Sequence, residues 1–269
     1  MPKSTKYQAK HPDEAGYIAY TPEEDAVWRD LYAAQADAVA AHMARPYLDG
    51  LAKLAIPTDR VPQCPDISAV LMRETGWKVD PVPALIGFKT FFGMLADRTF
   101  PAASFIRSRE DFDYIEEPDI FHEIFGHTSL LTDKRFAAFS HAIGVAGLAA
   151  EKTDYAWLIR LYWFTIEFGL TRENGVLKAL GSGLASSKTE LPWALSGEPV
   201  VRPFDVIDIL RTPYRIDIHQ PVYFVIEDLD DLFAAADRDL MADIKEAQQL
   251  GLHAPMYPPV EKPLEKKAS

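Results

Sequence analysis

The chain has 269 residues, with 28 Lys+Arg against 40 Asp+Glu for a formal charge of −12, and it is 48% hydrophobic, 12% aromatic and 25% charged. These are globular proportions, and the acidic balance argues against a nucleic-acid surface, whose affinity comes from Lys and Arg neutralising phosphates. The start lacks a signal peptide's apolar core, no segment reaches the ~18–20 apolar residues of a membrane span, and the one cysteine, Cys64, rules out an internal disulfide or a Cys-rich zinc module.

Cytoplasm is the expected compartment, and any metal must be held by His and carboxylate. The first twenty residues are polar and unpatterned. Thr21-Pro22-Glu23-Glu24 then supplies an N-cap, a proline at the first helical position and a glutamate at the third, so a helix begins there and runs with helical apolar spacing from Val27 to Met43. Pro46 and the Pro57, Pro62, Pro65 run predict a loop, followed by a helix capped by Asp66 and ended by Gly76. The apolar stretch after Trp77, broken by Pro81 and Pro83, suits an edge strand or a pocket-lining loop. Phe88 to Ala96 reads as a short helix and Thr99 to Ile106 as a strand.

Pro118-Asp119 opens a helix from Ile120. Asp133 to Ala150 and Asp154 to Leu170 read as long helices, the second buried nearly all round. Short strands are expected at Gly175 to Leu180 and Pro221 to Ile226, separated by Gly/Ser turns and a helix at Phe204 to Leu210, and Asp228 to Gln249 forms a last amphipathic helix. No repeat or linker divides the chain. The expectation is a flexible segment over 1–19, one mainly α domain with a few short β-strands over 20–252, and a disordered Pro/Lys-rich tail over 253–269.

The chemistry is concentrated in Phe121-His122-Glu123-Ile124-Phe125-Gly126-His127 and, forty residues on, in Tyr162-Trp163-Phe164-Thr165-Ile166-Glu167. A carboxylate at Glu167, inside a segment built for the core, needs a compensating partner. The two histidines are five apart, not four as in the zincin HExxH, which puts them about 140° apart on an ideal α-helix. They converge only if the backbone turns at the second, and Gly126 just before it permits such a turn. Two imidazoles and one carboxylate on one side of an ion leave the opposite positions open, as in the facial triad of non-haem Fe(II) oxygenases. Spacing alone leaves a second solution open, a buried salt bridge from Glu167 to Arg160 or Arg107.

Four segments, FHEIFGH, LYWFTIEFGL, GSGLASSKTE and RTPYRID, in this order, resemble the pterin-dependent aromatic amino acid hydroxylases, and among them the short bacterial phenylalanine-hydroxylating branch. The resemblance covers Tyr20 to Leu232, about four-fifths of the chain. It implies a single, largely helical catalytic domain that uses Fe(II), a tetrahydropterin (tetrahydrobiopterin or a relative) and O2 to convert L-phenylalanine to L-tyrosine. By this resemblance His122, His127 and Glu167 ligate iron, and Glu123 is a catalytic acid on the pterin and oxygen side. Leu85, Ile86, Phe91 and Tyr162 match the pterin pocket. Arg107 matches a clamp for the substrate carboxylate, with Tyr114, Pro118, Trp163, Phe168, Gly183 and Ser186 around the amino acid. Ser187 and Tyr214 match supports of the triad.

Ile216 is aliphatic where a tyrosine-hydroxylating relative carries an acid, so phenylalanine is the expected substrate and tryptophan or tyrosine the alternative. A rival is a His/Glu metal-dependent hydrolase with Glu123 as base, and a non-catalytic binding module is a further one. Neither nucleic acid nor membrane is an expected partner. A Pro-rich tail without heptads leads to the expectation of a monomer. His42, His141, His219 and Cys64 read as structural or surface residues.

Overall fold

The computed structural model describes residues 6–83 and 85–259. Its elements are mainly helical. Helix α1 (Pro22–His42) starts at the capping box the sequence announces: Thr21 accepts from the Glu24 N–H, and the Glu24 carboxylate accepts from the Thr21 N–H. Helices α2 (Arg45–Leu54) and α3 (Cys64–Glu74) each carry a proline in the first turn. Pro46 and Pro65 thus open helices where a continuous loop was expected, because a proline at the first helical position loses no hydrogen bond. Asp66 lies inside the first turn of α3 rather than capping it.

Strands β1 (Lys78–Val82) and β2 (Thr99–Ala103) form a two-stranded parallel sheet around α4 (Phe88–Ala96), with Val79 opposite Phe100. Helices α5 (Lys134–Ala149) and α6 (Tyr155–Tyr162) follow. A second sheet has the order β4-β3-β6-β5, from β3 (Leu170–Glu173), β4 (Val176–Ala179), β5 (Val200–Pro203) and β6 (Val222–Ile226). Helices α7 (Ser182–Ser186), α8 (Glu190–Ala194) and α9 (Val206–Arg211) lie between its strands, and α10 (Leu229–Ala234) and α11 (Leu240–Leu250) close the described chain. The single last helix of the sequence reading is two: Asp239 accepts from the Ala242 N–H and starts α11 afresh. Likewise the helix expected to reach Leu170 ends at Glu167, and Leu170 enters β3, pairing with Val225 of β6.

Among the described residues two segments are π-helical, Phe121–His127 and Trp163–Glu167. The wider turn frees carbonyls, and side-chain hydroxyls take them up. Tyr47 donates to the Phe125 carbonyl at 2.6 Å, Thr128 to that of Ile124 at 2.5 Å and Thr165 to that of Leu161 at 2.6 Å. The back of the first segment is fixed by aromatic packing: Phe121 stacks on Phe125 at 4.9 Å, and Trp28 and Tyr32 of α1 meet these rings edge-on at 5.3 and 5.2 Å. All these rings but the partly buried Tyr32 belong to the core, each buried aromatic contributing about 1.5–3 kcal/mol.

The ends of the described chain are not loose. Tyr7 stacks on Phe105 at 4.7 Å, accepts from the Ser108 N–H at 3.0 Å and donates to Asp111, while Lys10 pairs with Glu24 at 2.7 Å. Within the segment expected to be flexible, 1–19, Tyr7 and Lys10 make these contacts, and its first five residues lie outside the described ones. At the other end His253 donates its N–H to the Arg211 carbonyl at 2.9 Å, and Arg215 donates to that of Pro258 at 3.0 Å. Residues 253–259 are thus held against the body, and 260–269 lie outside the described residues.

Candidate active site

The two π-helical segments meet with their side chains converging. In an i→i+5 helix the bonded pair stands one above the other, as i and i+4 do in an α-helix. His122 and His127, five apart, therefore share a face without a backbone turn. Gly126 has no positive φ; its contribution is the absence of a side chain, because a Cβ there would lie 2.9 Å from the Ser182 carbonyl oxygen of α7. The expected turn is replaced by a wider helix and a close approach. The second segment closes with the Phe168 N–H on the Trp163 carbonyl at 2.8 Å, an i→i+5 bond that presents Glu167.

The His122 and His127 Nε2 atoms are 3.1 Å apart, and Glu167 Oε1 lies 3.0 Å from His127 Nε2 and 3.5 Å from His122 Nε2. Two ligands at right angles and about 2.1 Å from one ion stand roughly 3 Å apart, so three donors in this triangle fit a metal on a single face. A salt bridge from Glu167 to Arg107 or Arg160 is not formed: Arg107 pairs with Asp119, and Arg160 donates to the Leu210 carbonyl. Glu123 has an oxygen within 4.8 Å of a nitrogen of each imidazole, so it too borders the space where these two histidines could hold an ion.

Each imidazole is oriented from behind. His122 Nδ1 is 2.8 Å from Ser186 Oγ, whose hydroxyl donates to the Ser182 carbonyl at 3.1 Å, and His127 Nδ1 is 3.2 Å from the Tyr162 hydroxyl. Nδ1–H donation to these oxygens leaves both Nε2 lone pairs facing the triangle. Burial would raise the Glu167 carboxyl, but the two imidazoles override it and hold the group well below its usual range. Burial pushes the Glu123 carboxyl up to about 8, with Glu167 and Asp119 adding to the effect against His122.

The triangle opens into a cleft of about 330 Å³ lined by Leu85, Ile86, Phe91, Pro118, Glu123, Tyr162, Trp163 and Tyr214 among the residues singled out from sequence. Phe91 meets Tyr162 edge-on at 5.4 Å. Trp163 is fixed between Phe168 at 4.5 Å and Tyr214 at 4.2 Å, its indole N–H 3.3 Å from Gln220 Oε1. Gly183 leaves room for Phe168, whose Cζ would lie 2.7 Å from a Cβ at that position.

Other residues fall elsewhere. Arg107 is buried and forked onto Asp119, Nε to Oδ2 at 2.8 Å and Nη2 to Oδ1 at 2.9 Å, beside a small hollow that it lines with Ser186 and Lys188. Tyr114 stands 61% exposed and outside the cleft lining, next to Asp113, which pairs with Lys188 at 2.9 Å. Ser187 accepts from the Glu190 N–H and Tyr214 packs on Trp163, so neither bonds the imidazoles; Ser186 and Tyr162 do. Sequence reasoning missed Ser182, Asp119 as the partner of Arg107, and the cleft wall formed by Val82, Phe100 and Pro101. The β-branched and aromatic residues of Thr99 to Ile106 mark a strand but not what it borders.

Residues 3–251 match the family model described as biopterin-dependent aromatic amino acid hydroxylase. The phenylalanine-4-hydroxylase of Vibrio cholerae is 49% identical over 258 residues, 96% of this chain and 89% of that protein. The apo structure of the cold-active phenylalanine hydroxylase from Colwellia psychrerythraea 34H superposes with a TM-score of 0.90 at 47% identity, over 93% of this chain and 97% of that one. The Chromobacterium violaceum phenylalanine hydroxylase with bound oxidised Fe(III) gives a TM-score of 0.84 at 35% identity, over 90% and 91%.

Proposed function

Because the chain belongs to the biopterin-dependent aromatic amino acid hydroxylases, we propose that it is a phenylalanine 4-monooxygenase, converting L-phenylalanine to L-tyrosine with O2. The observation that carries this reading is the triangle of two imidazole nitrogens and one carboxylate oxygen at the floor of an aromatic-lined cleft. His122, His127 and Glu167 hold Fe(II). When bound, iron and tetrahydropterin together supply the reductive activation of dioxygen.

The chain's own residues bind, orient and exclude water. Phe91 and Tyr162, with Leu85 and Ile86 on the preceding loop, offer an apolar wall for a flat pterin ring. Trp163, locked between two rings, and Pro118 bound the space for the substrate ring. Arg107, made rigid by Asp119, is assigned to the substrate carboxylate by resemblance; it lines a separate small hollow with Ser186 rather than the cleft itself. Glu123, raised by burial, is the protonatable group on the cleft wall. Excluding water strengthens each of these polar contacts. The protein works as a monomer in the cytoplasm, and a stable tetramer in a solution mass measurement would reject the first of these.

The direct test is anaerobic loading with Fe(II), then addition of O2, a tetrahydropterin and L-phenylalanine. Tyrosine that requires all four, and falls by roughly a thousand-fold or more in Glu167→Ala, well beyond the ten- to hundred-fold of a supporting residue, is the expected result. Turnover without oxygen or pterin would point to the hydrolytic rival, and preference for tryptophan or tyrosine to another aromatic substrate.

A further inference from the structure

Glu167 presents its two carboxylate oxygens to different partners. Oε1 faces the imidazole nitrogens at 3.0 and 3.5 Å, whereas Oε2 turns away and lies 3.0 Å from Ser182 Oγ. Ser182 is fully buried. Its hydroxyl has one proton and lies 3.0 Å from the Ile166 carbonyl and 3.2 Å from His127 Nε2 as well. Of these acceptors Glu167 Oε2 is the charged one, and a charge-assisted bond is roughly twice as strong as a neutral one. With His127 Nε2 occupied by a metal, the proton is left to Oε2 and the Ile166 carbonyl.

We propose that Ser182 is a positioning residue that fixes Glu167 as a one-oxygen ligand. By hydrogen-bonding Oε2, it keeps the second oxygen off the metal and so preserves an open position. This inference rests on the metal-binding reading above. The placement of Ser182 is itself tightly determined: Gly126, next to His127, lacks a side chain where the Ser182 backbone passes, and the Ser182 carbonyl accepts from Ser186, the support of His122. One residue therefore meets the surroundings of all three ligands. A carboxylate freed of this bond can swing its second oxygen toward the ion and displace a water.

The test counts metal-bound waters. Mn(II) is titrated into the metal-free protein, and water-proton relaxation is measured at saturation, with Mn(II) as the probe. A facial triad with a one-oxygen carboxylate leaves three positions for water on a six-coordinate ion. Relaxivity per bound Mn(II) is expected to fall by about one third in Ser182→Ala, as three waters become two. Thr171→Ala, which removes a buried hydroxyl bonded to the Ile226 carbonyl and outside the cleft lining, should keep the wild-type relaxivity. Ser182→Cys, nearly isosteric with a weak S–H donor, should fall between, and stands in should the alanine variant not fold.

Wild-type relaxivity in a folded, Mn(II)-saturated Ser182→Ala or Ser182→Cys would overturn the inference alone. A folded Ser182→Ala that binds no Mn(II) would also overturn it, since the hydroxyl would then serve binding itself. Absence of Glu167-dependent Mn(II) binding in the wild type would overturn the metal reading and this inference with it.

Discussion

Two buried ionic clusters meet where Asp119 and His122 stand one turn apart, and they are completed in different ways. Arg107 and Asp119 form a closed pair: a fork of two bonds, with the spare acceptor capacity of Asp119 taken by the N–H groups of Arg107 and His122. The His122, His127 and Glu167 cluster holds a carboxylate with no permanent cation of its own. Its positive charge is a bound metal or, without one, a proton that Glu167 holds on His122 against the effect of burial. A structural ion pair and a metal site can thus share burial and residue types and still be told apart by whether the charges cancel within the fold.

The largest stability effect should come from breaking the closed cluster. Asp119→Ala leaves a buried guanidinium unpaired, which costs about 3–5 kcal/mol, or roughly 6–20 °C in melting temperature for a chain of this size. Burial would raise the Asp119 carboxyl, but Arg107 holds it below its ordinary value. A lowered folded-state pKa stabilises above the unfolded value of about 3.9 and loses that contribution as pH falls through the lower folded value. Asp119→Asn should therefore flatten the acid limb of the stability curve below about pH 4, as followed by denaturant midpoints. An unchanged limb would mean the pair is not the acid-sensitive element.

Next in size is the open cluster's dependence on its cation. Chelation should lower the melting temperature and Fe(II) restore it, by about 2.7 kcal/mol at a metal concentration one hundred times its Kd. The increment should vanish in Glu167→Ala and survive in a folded Asp119→Asn, which separates the two clusters by calorimetry. The smallest effect is expected from Ser186→Ala. Removing the oxygen 2.8 Å from His122 Nδ1 should weaken metal binding by about ten- to hundred-fold, with little change in the melting of the metal-free protein. A large loss of metal-free stability would assign Ser186 to the core rather than to the imidazole.

The same contrast explains what could be read from the sequence. The capping box at Thr21, the helix at Phe88 to Ala96 and the apolar surroundings of Glu167 are local patterns, and each corresponds to a local feature of the fold. The π-helical segments have no periodic signature. Their extra residue is stabilised by partners distant in sequence, such as Tyr47 on the Phe125 carbonyl, so the two histidines looked 140° apart on an ideal helix, by rough count. Proline at Pro46 and Pro65 reads equally as loop or helix start, and only the packing of α2 and α3 decides. Ser182 bonds a residue fifteen positions away, and a lone serine in a Gly/Ser segment carries no mark of that role. Tyr114 matches the substrate site by resemblance alone, and its position depends on a loop whose course no short motif dictates.

Counted in residues, a π turn is an α turn with one more residue inserted. Five positions in the first frame are the counterpart of four in the second, so the spacing of His122 and His127 and that of HExxH put two imidazoles on one face by different arithmetic. A lineage could pass between them by a one-codon insertion or deletion. What holds this chain on the longer count is the anchorage of the additional residue: Ile124 is fully buried, and Phe121 and Phe125 are stacked and keyed into α1. Deleting Ile124 would keep both nitrogens on a common face while turning that aromatic pair out of register. The indel that looks harmless to the site is the one the core would not tolerate.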